Sequence, residues 1–185
     1  MRRILPRLIA TLNLASNDFL LFELPMRQQL ERAEIEARWK RLAAQVHPDR
    51  FVGQGAAAQA QAMQWALRVN EAHRRLRDPL QRAAYLCELR GAPIRAESNT
   101  HMCGAFLMEQ MEWREQLDEA SGEAELSALQ QRVRRRQAGL LETVQRELDE
   151  PDGDALRAAE AVRALMFVER FQQDIEKRRD ALFPI

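Results

Sequence analysis

The sequence predicts an all-α chain of two helical domains, and three observations carry that expectation. Apolar residues recur at three- and four-residue spacing along most of the chain. Alternating β-branched runs, the mark of half-buried strands, are missing. Breaks of Pro, Gly and Asp separate the periodic stretches. A length of 185 residues allows two small domains, and 46% hydrophobic with 30% charged residues describes a packed chain and not a disordered one.

Residues 17–24 open with Asn17 and Asp18, both capping types, and stop before Pro25, which predicts a first short helix. From Glu31 to Val46, Ile35, Trp39, Leu42 and Val46 fall on one stripe of a second helix, with Arg38, Arg41 and Gln45 on a neighbouring face. His47, Pro48 and Asp49 end it, because proline removes a donor and restricts the residue before it. After a loop through Gly53 and Gly55, residues 56–76 form a third helix. The short connection makes it antiparallel to the second, and Met63, Ala66, Leu67 and Asn70 are expected to face its partner.

Asp78 before Pro79 reads as an N-cap followed by proline at the first helical position, opening a helix that stops at Gly91. A loop, GAPIRAESNTHMCG, follows. Three further helices are expected over residues 104–120, 123–148 and 154–180, with breaks at Gly122 and at residues 149–153. Leu126, Leu129, Val133, Leu140, Val144 and Leu148 give the middle one the apolar stripe that a three-helix bundle needs. The expected organisation is an extension over 1–16, a first domain over 17–90, a linker over 91–103 and a bundle over 104–185.

Lys and Arg total 28 and so do Asp and Glu, so no global field steers the chain onto nucleic acid or an anionic membrane. The halves differ: residues 1–80 hold 13 basic against 8 acidic side chains, leaving 15 against 20 for the rest. Such a split suits two different partners. Two cysteines outside any CxxC pair fit a reducing, cytoplasmic setting, and no apolar run approaches the roughly 20 residues of a membrane span. The first fifteen residues, with three arginines and no acid, have the composition of a transit peptide but are read as a dispensable extension.

The segment VHPDR at 46–50 resembles the His-Pro-Asp signature of J domains, which stimulate ATP hydrolysis by seventy-kilodalton heat-shock chaperones. FLLFELP before it, the basic amphipathic helix that ends in it, and VNEAHRRLRDPLQRAAYL after it extend the likeness over about residues 17–86. Pro48 fixes a rigid turn from which His47 and Asp49 project. The resemblance implies that these three residues, with Arg38, Lys40 and Arg41, meet an acidic surface of the chaperone ATPase, where complementary charge speeds and aligns encounter.

Residues 105–118, AFLMEQMEWREQLD, carry two apolar faces on one helix. Phe106, Gln110, Trp113 and Leu117 share one, while Leu107, Met108 and Met111 occupy a second beside Glu115. A core needs one stripe, so the second face is a docking candidate, rimmed by Glu112, Arg114 and Glu115. In the last helix Val162, Leu165, Val168 and Ile175 suit a core, whereas Phe167 falls among Glu160, Arg163, Arg170 and Asp174.

LMEQMEWREQLDE and RALMFVERF are similar to the carboxy-terminal three-helix domain of the HscB family, the J-type co-chaperones of iron–sulfur cluster biogenesis. The likeness then covers nearly everything after residue 16. It implies an L-shaped pair of domains, a J domain plus a three-helix bundle. It also implies that Leu107, Met108, Met111, Glu112, Arg114, Glu115 and Phe167 bind an IscU-type scaffold protein while the His-Pro-Asp turn engages an HscA-type chaperone. Arg50 stands where a lysine often follows the signature, and Met111 where leucine is more usual. The CxxC pairs that precede the J domain in many eukaryotic relatives are absent from this sequence, which points to a bacterial-type protein.

Other chemistries fit less well. His101, Cys103 and Cys87 lack the paired spacing of metal ligands, so neither metal nor cofactor is expected. The arginine-rich run from Arg132 to Arg136 lacks interleaved aromatics and reads as a solvated face, not a nucleic-acid site. No phosphate-cradling glycine loop or nucleophile elbow appears, so no enzyme is expected. The expected protein is a monomeric adaptor. A general J protein with another client, or a purely structural helical scaffold, are the other readings.

Overall fold

The computed structural model describes residues 13–94 and 104–184. Seven α-helices and no strand are found among them: α1 Asp18–Phe22, α2 Arg32–Val46, α3 Ala56–Arg77, α4 Pro79–Leu89, α5 Gly104–Glu119, α6 Glu123–Asp149 and α7 Ala155–Leu182. A 3₁₀ turn, Pro48–Phe51, separates α2 from α3. These residues fall into two compact units that meet in sequence at Arg82 and Ala83, so α4 contributes to both.

In the first unit, the Asn17 side chain accepts from the Leu20 N–H at 2.7 Å and starts α1 as an N-cap. Phe19, Leu21 and Phe22 of α1 are buried against the α2–α3 hairpin with Ile35, Leu42, Val46, Trp65, Val69 and Leu76. Asp18, fully buried, ties α1 to α3. Its carboxylate accepts from Arg68 Nη2 at 2.5 Å and from Arg75 Nη1 at 2.7 Å. Arg68 also donates to the carbonyls of Leu14 and Ser16, which fixes the chain entering α1. Of the extension expected over 1–16, residues 1–12 lie outside the described residues, whereas 13–16 form a turn in which the Ser16 N–H donates to the Asn13 carbonyl at 3.0 Å.

The core face of α3 differs from the expected one. Ala62, Trp65, Val69, Ala72 and Leu76 are buried, whereas Met63 and Leu67 are exposed and Ala66 is half-buried. Trp65 sets the orientation, because its large ring has the most apolar area to remove from water. Asn70 reaches α2 from the edge, its Oδ1 accepting from Trp39 Nε1 at 3.0 Å. The Asp78 cap is as the sequence reads: its carboxylate accepts from the N–H groups of Leu80 and Gln81.

In the second unit, α5, α6 and α7 bury the expected stripes, with Leu126, Leu129, Val133, Leu140, Val144 and Leu148 of α6 meeting Val162, Leu165, Val168 and Ile175 of α7. Ala92 and Ile94, just past α4, are also buried in what reads as loop. They are held in place by Arg90 Nη2 on the Leu148 carbonyl and by buried Arg163 Nη1 on the Ile94 carbonyl. Glu125 accepts from the N–H groups of Ser121 and Gly122, and these hydrogen bonds hold its carboxyl below the usual range.

The α6–α7 turn is tight. Glu147 Oε2 accepts from the Asp154 N–H at 3.0 Å and Arg146 pairs with Oε1, so the backbone hydrogen bond first and the arginine second lower the Glu147 carboxyl. Gly153 sits so close to α6 that an added Cβ would lie 2.2 Å from the Glu147 carbonyl oxygen. A rigid backbone cannot yield as a side chain would. Gly153→Ala is therefore expected to destabilise by about 1–3 kcal/mol and lower the melting temperature by about 4 °C or more. A thermal melt matching the unmodified protein would show that this turn relaxes without cost.

Candidate functional site

Two separate surfaces hold the residues singled out by sequence. The first is the turn after α2. Pro48 occupies the first position of the 3₁₀ turn, and Phe51 is buried beneath it as an anchor. The Asp49 N–H donates to His47 Nδ1 at 3.3 Å, and the Arg50 N–H donates to the His47 carbonyl at 3.0 Å. Held from below, both side chains point outward, at 59% exposure for His47 and 84% for Asp49. With Nδ1 accepting, the neutral imidazole carries its proton on Nε2, a donor aimed at solvent beside a carboxylate acceptor.

The basic residues behind the turn are not equivalent. Arg38 and Arg41 converge on one carboxylate oxygen, Glu23 Oε2, at 2.7 and 2.5 Å, and Arg38 also reaches Glu34 at 3.4 Å. Lys40 is exposed and makes no salt bridge among the described residues. Glu23 was not legible as part of this surface, since it sits just past α1 as its C-cap and its contacts span fifteen and eighteen residues.

The second surface lies on α5 and α7. Phe106, Trp113 and Leu117 are buried, while Leu107, Met108 and Met111 stand 44%, 60% and 64% exposed. At about 100° per residue, Leu107, Met111 and Arg114 form one outer row and Met108, Glu112 and Glu115 the next. Glu112 lies 4.0 Å from Arg132 and Glu115 is exposed. Arg132 also donates to Gln116, and Arg136 pairs with Glu109 at 2.9 Å, so two arginines of the basic run brace α6 against α5.

Phe167 corrects the expectation of a ring isolated among charges. It is half-buried in an aromatic cluster, 5.9 Å from Phe106, 6.5 Å from Trp113 and 5.9 Å from Phe171 between centroids. Arg163 turns inward to the Ile94 carbonyl while Glu160, Arg170 and Asp174 stay exposed, and Phe106 and Trp113 of α5 cover the ring. Arg114 lies over the Phe167 ring at 5.7 Å, which brings the Leu107–Met111–Arg114 row to the exposed edge of that ring. Six of the seven residues are thus exposed around one half-buried aromatic.

Cys87 is buried and its thiol is pushed up to about 11, chiefly by burial, so it offers no ready thiolate. His101 and Cys103 lie outside the described residues. Among the described residues no group of His, Cys, Asp and Glu could hold a metal ion, and no helix is long and apolar enough to cross a membrane.

Comparison with known proteins places this geometry. Residues 102–176 match the family described as "HSCB C-terminal oligomerisation domain". The chain is 46% identical over 162 residues to the co-chaperone protein HscB homologue of Bordetella pertussis, covering 87% of this chain and 95% of that protein. Against the homologue of Burkholderia mallei it is 46% identical over 172 residues, covering 88% and 94%. Chaperone HscB from Vibrio cholerae superposes with a TM-score of 0.74 at 32% identity, covering 91% of this chain and all of that one. The human co-chaperone protein HscB, at 24% identity, shares the fold with a TM-score of 0.82, covering 92% and 86%. An exposed His-Pro-Asp turn on a helical hairpin, a separate three-helix bundle and these likenesses together show that the chain belongs to the HscB family of co-chaperones.

Proposed function

We propose that this chain is a cytoplasmic adaptor that stimulates the ATPase of an HscA-type chaperone through the His47–Pro48–Asp49 turn and delivers an IscU-type iron–sulfur scaffold protein to it through the α5–α7 patch. The observation that supports this reading is the presence of two exposed surfaces on separate compact units, one a polar turn, the other apolar and rich in methionine. A turn that offers one donor and one acceptor on a fixed backbone suits a polar cleft in a partner ATPase, and ATP chemistry stays with that partner. Leu107, Met108 and Met111 supply apolar area that adapts to a partner's shape, and Glu112, Arg114 and Glu115 give it a polar rim.

Isothermal titration of the full chain with purified IscU-type scaffold tests the delivery half. One-to-one binding is expected. A J protein serving a different client would leave the scaffold unbound while still stimulating the chaperone.

A further inference from the structure

Glu23 ends α1 in the left-handed region, at φ 53° and ψ 41°, the lone non-glycine residue with positive φ among the described residues. Its N–H closes α1 onto the carbonyls of Phe19 and Leu20. Glycine fills such a C-terminal position without steric cost, whereas a side chain there is strained. A carboxylate retained at a strained position directs attention to what it holds. Glu23 Oε2 accepts from Arg38 Nη1 and Arg41 Nη2 together. Arg38, Arg41 and Gln45 follow one another at helical spacing along α2 toward the His47–Pro48–Asp49 turn.

We infer that Glu23 is a positioning residue, which fixes the Arg38 and Arg41 guanidinium groups in one geometry before an acidic partner surface arrives. This rests on the adaptor reading above. Two long side chains that would otherwise sample many rotamers are already ordered on α2, so docking loses less conformational entropy. Each guanidinium has five N–H donors; Glu23 takes one from each and Glu34 a second from Arg38, which leaves further donors on both for a partner. Pairs this exposed contribute little to stability, so the ordering of the arginines is the larger consequence.

The test compares the full chain with Glu23→Gly and Glu23→Gln in a steady-state ATPase titration of an HscA-type chaperone. Positioning predicts that Glu23→Gly raises the half-maximal concentration about fivefold, equivalent to about 1 kcal/mol, and leaves the maximal stimulation unchanged. Glu23→Gln keeps one acceptor oxygen and falls between. The glycine variant is expected to melt no lower than the parent, since relief of the left-handed strain offsets the lost exposed pairs. A half-maximal concentration that is unchanged or lower overturns the inference, because removing a carboxylate beside two arginines would otherwise strengthen attraction to an acidic partner. If the unmodified chain gives no stimulation, the adaptor reading fails and this inference falls with it.

Discussion

His47→Gln is expected to return the ATPase of an HscA-type chaperone to its unstimulated rate while leaving this protein folded. The imidazole is more than half exposed, and its one described hydrogen bond is to the neighbouring Asp49 N–H. Surface substitutions of this kind change stability by less than about 0.5 kcal/mol. What is lost is specific. The ring holds Asp49 through Nδ1 and presents an Nε2 donor on a short, rigid arm, whereas glutamine has more rotatable bonds and no ring to fix a donor on one side and an acceptor on the other. Pro48 and buried Phe51 still form the turn, so the variant separates turn geometry from imidazole chemistry. Circular dichroism that matches the parent, together with full stimulation, would remove His47 from the chaperone site.

Leu107→Ala combined with Phe167→Ala is expected to weaken scaffold binding by 2 kcal/mol or more, roughly thirtyfold, as hot-spot truncations do. The two changes act differently. Leu107 is exposed, so its truncation removes contact area with little effect on the fold. Phe167 stacks on Trp113 and Phe171 and meets Phe106 edge-on, so its truncation also opens the α5–α7 seam and lowers stability. Leu107→Ala with Met111→Ala is the cleaner probe, because neither side chain is in the core. Both doubles should reduce scaffold affinity, with chaperone stimulation in the absence of scaffold unchanged. If the patch instead joins two copies of this chain, sedimentation changes and scaffold affinity does not.

Most helix borders were legible because local chemistry writes them. Asn17, Asp78 and Asp154 each cap the helix that follows with the side-chain oxygen expected of those residue types. The α6 stripe was equally plain, since one apolar face on a long helix leaves little choice. What spacing alone could not give was which of two plausible faces wins. On α3 both the Met63–Leu67 face and the Ala62–Trp65–Val69 face have helical periodicity, and the difference lies in the buried indole of Trp65.

On α5 the same ambiguity was resolved correctly, because Phe106 and Trp113 concentrate the aromatic area on one side. Phe167 was misplaced in its surroundings because a helical wheel shows neighbours on its own helix and not the helix that covers it. Glu23 and Ile94 escaped notice for a related reason: their partners are distant in sequence. The His-Pro-Asp turn was legible as a motif, but the convergence of Arg38 and Arg41 on a single carboxylate is a fact of tertiary structure.

The steady-state ATPase rate of an HscA-type chaperone, measured with this chain, with the IscU-type scaffold, and with both together, tests delivery most directly. An adaptor predicts a joint rate well above the sum of the separate stimulations, because the chain brings its client to the chaperone while the His47 turn acts on it. A joint rate no higher than that sum, with one-to-one scaffold binding intact, would contradict delivery and leave two unconnected binding surfaces on one chain.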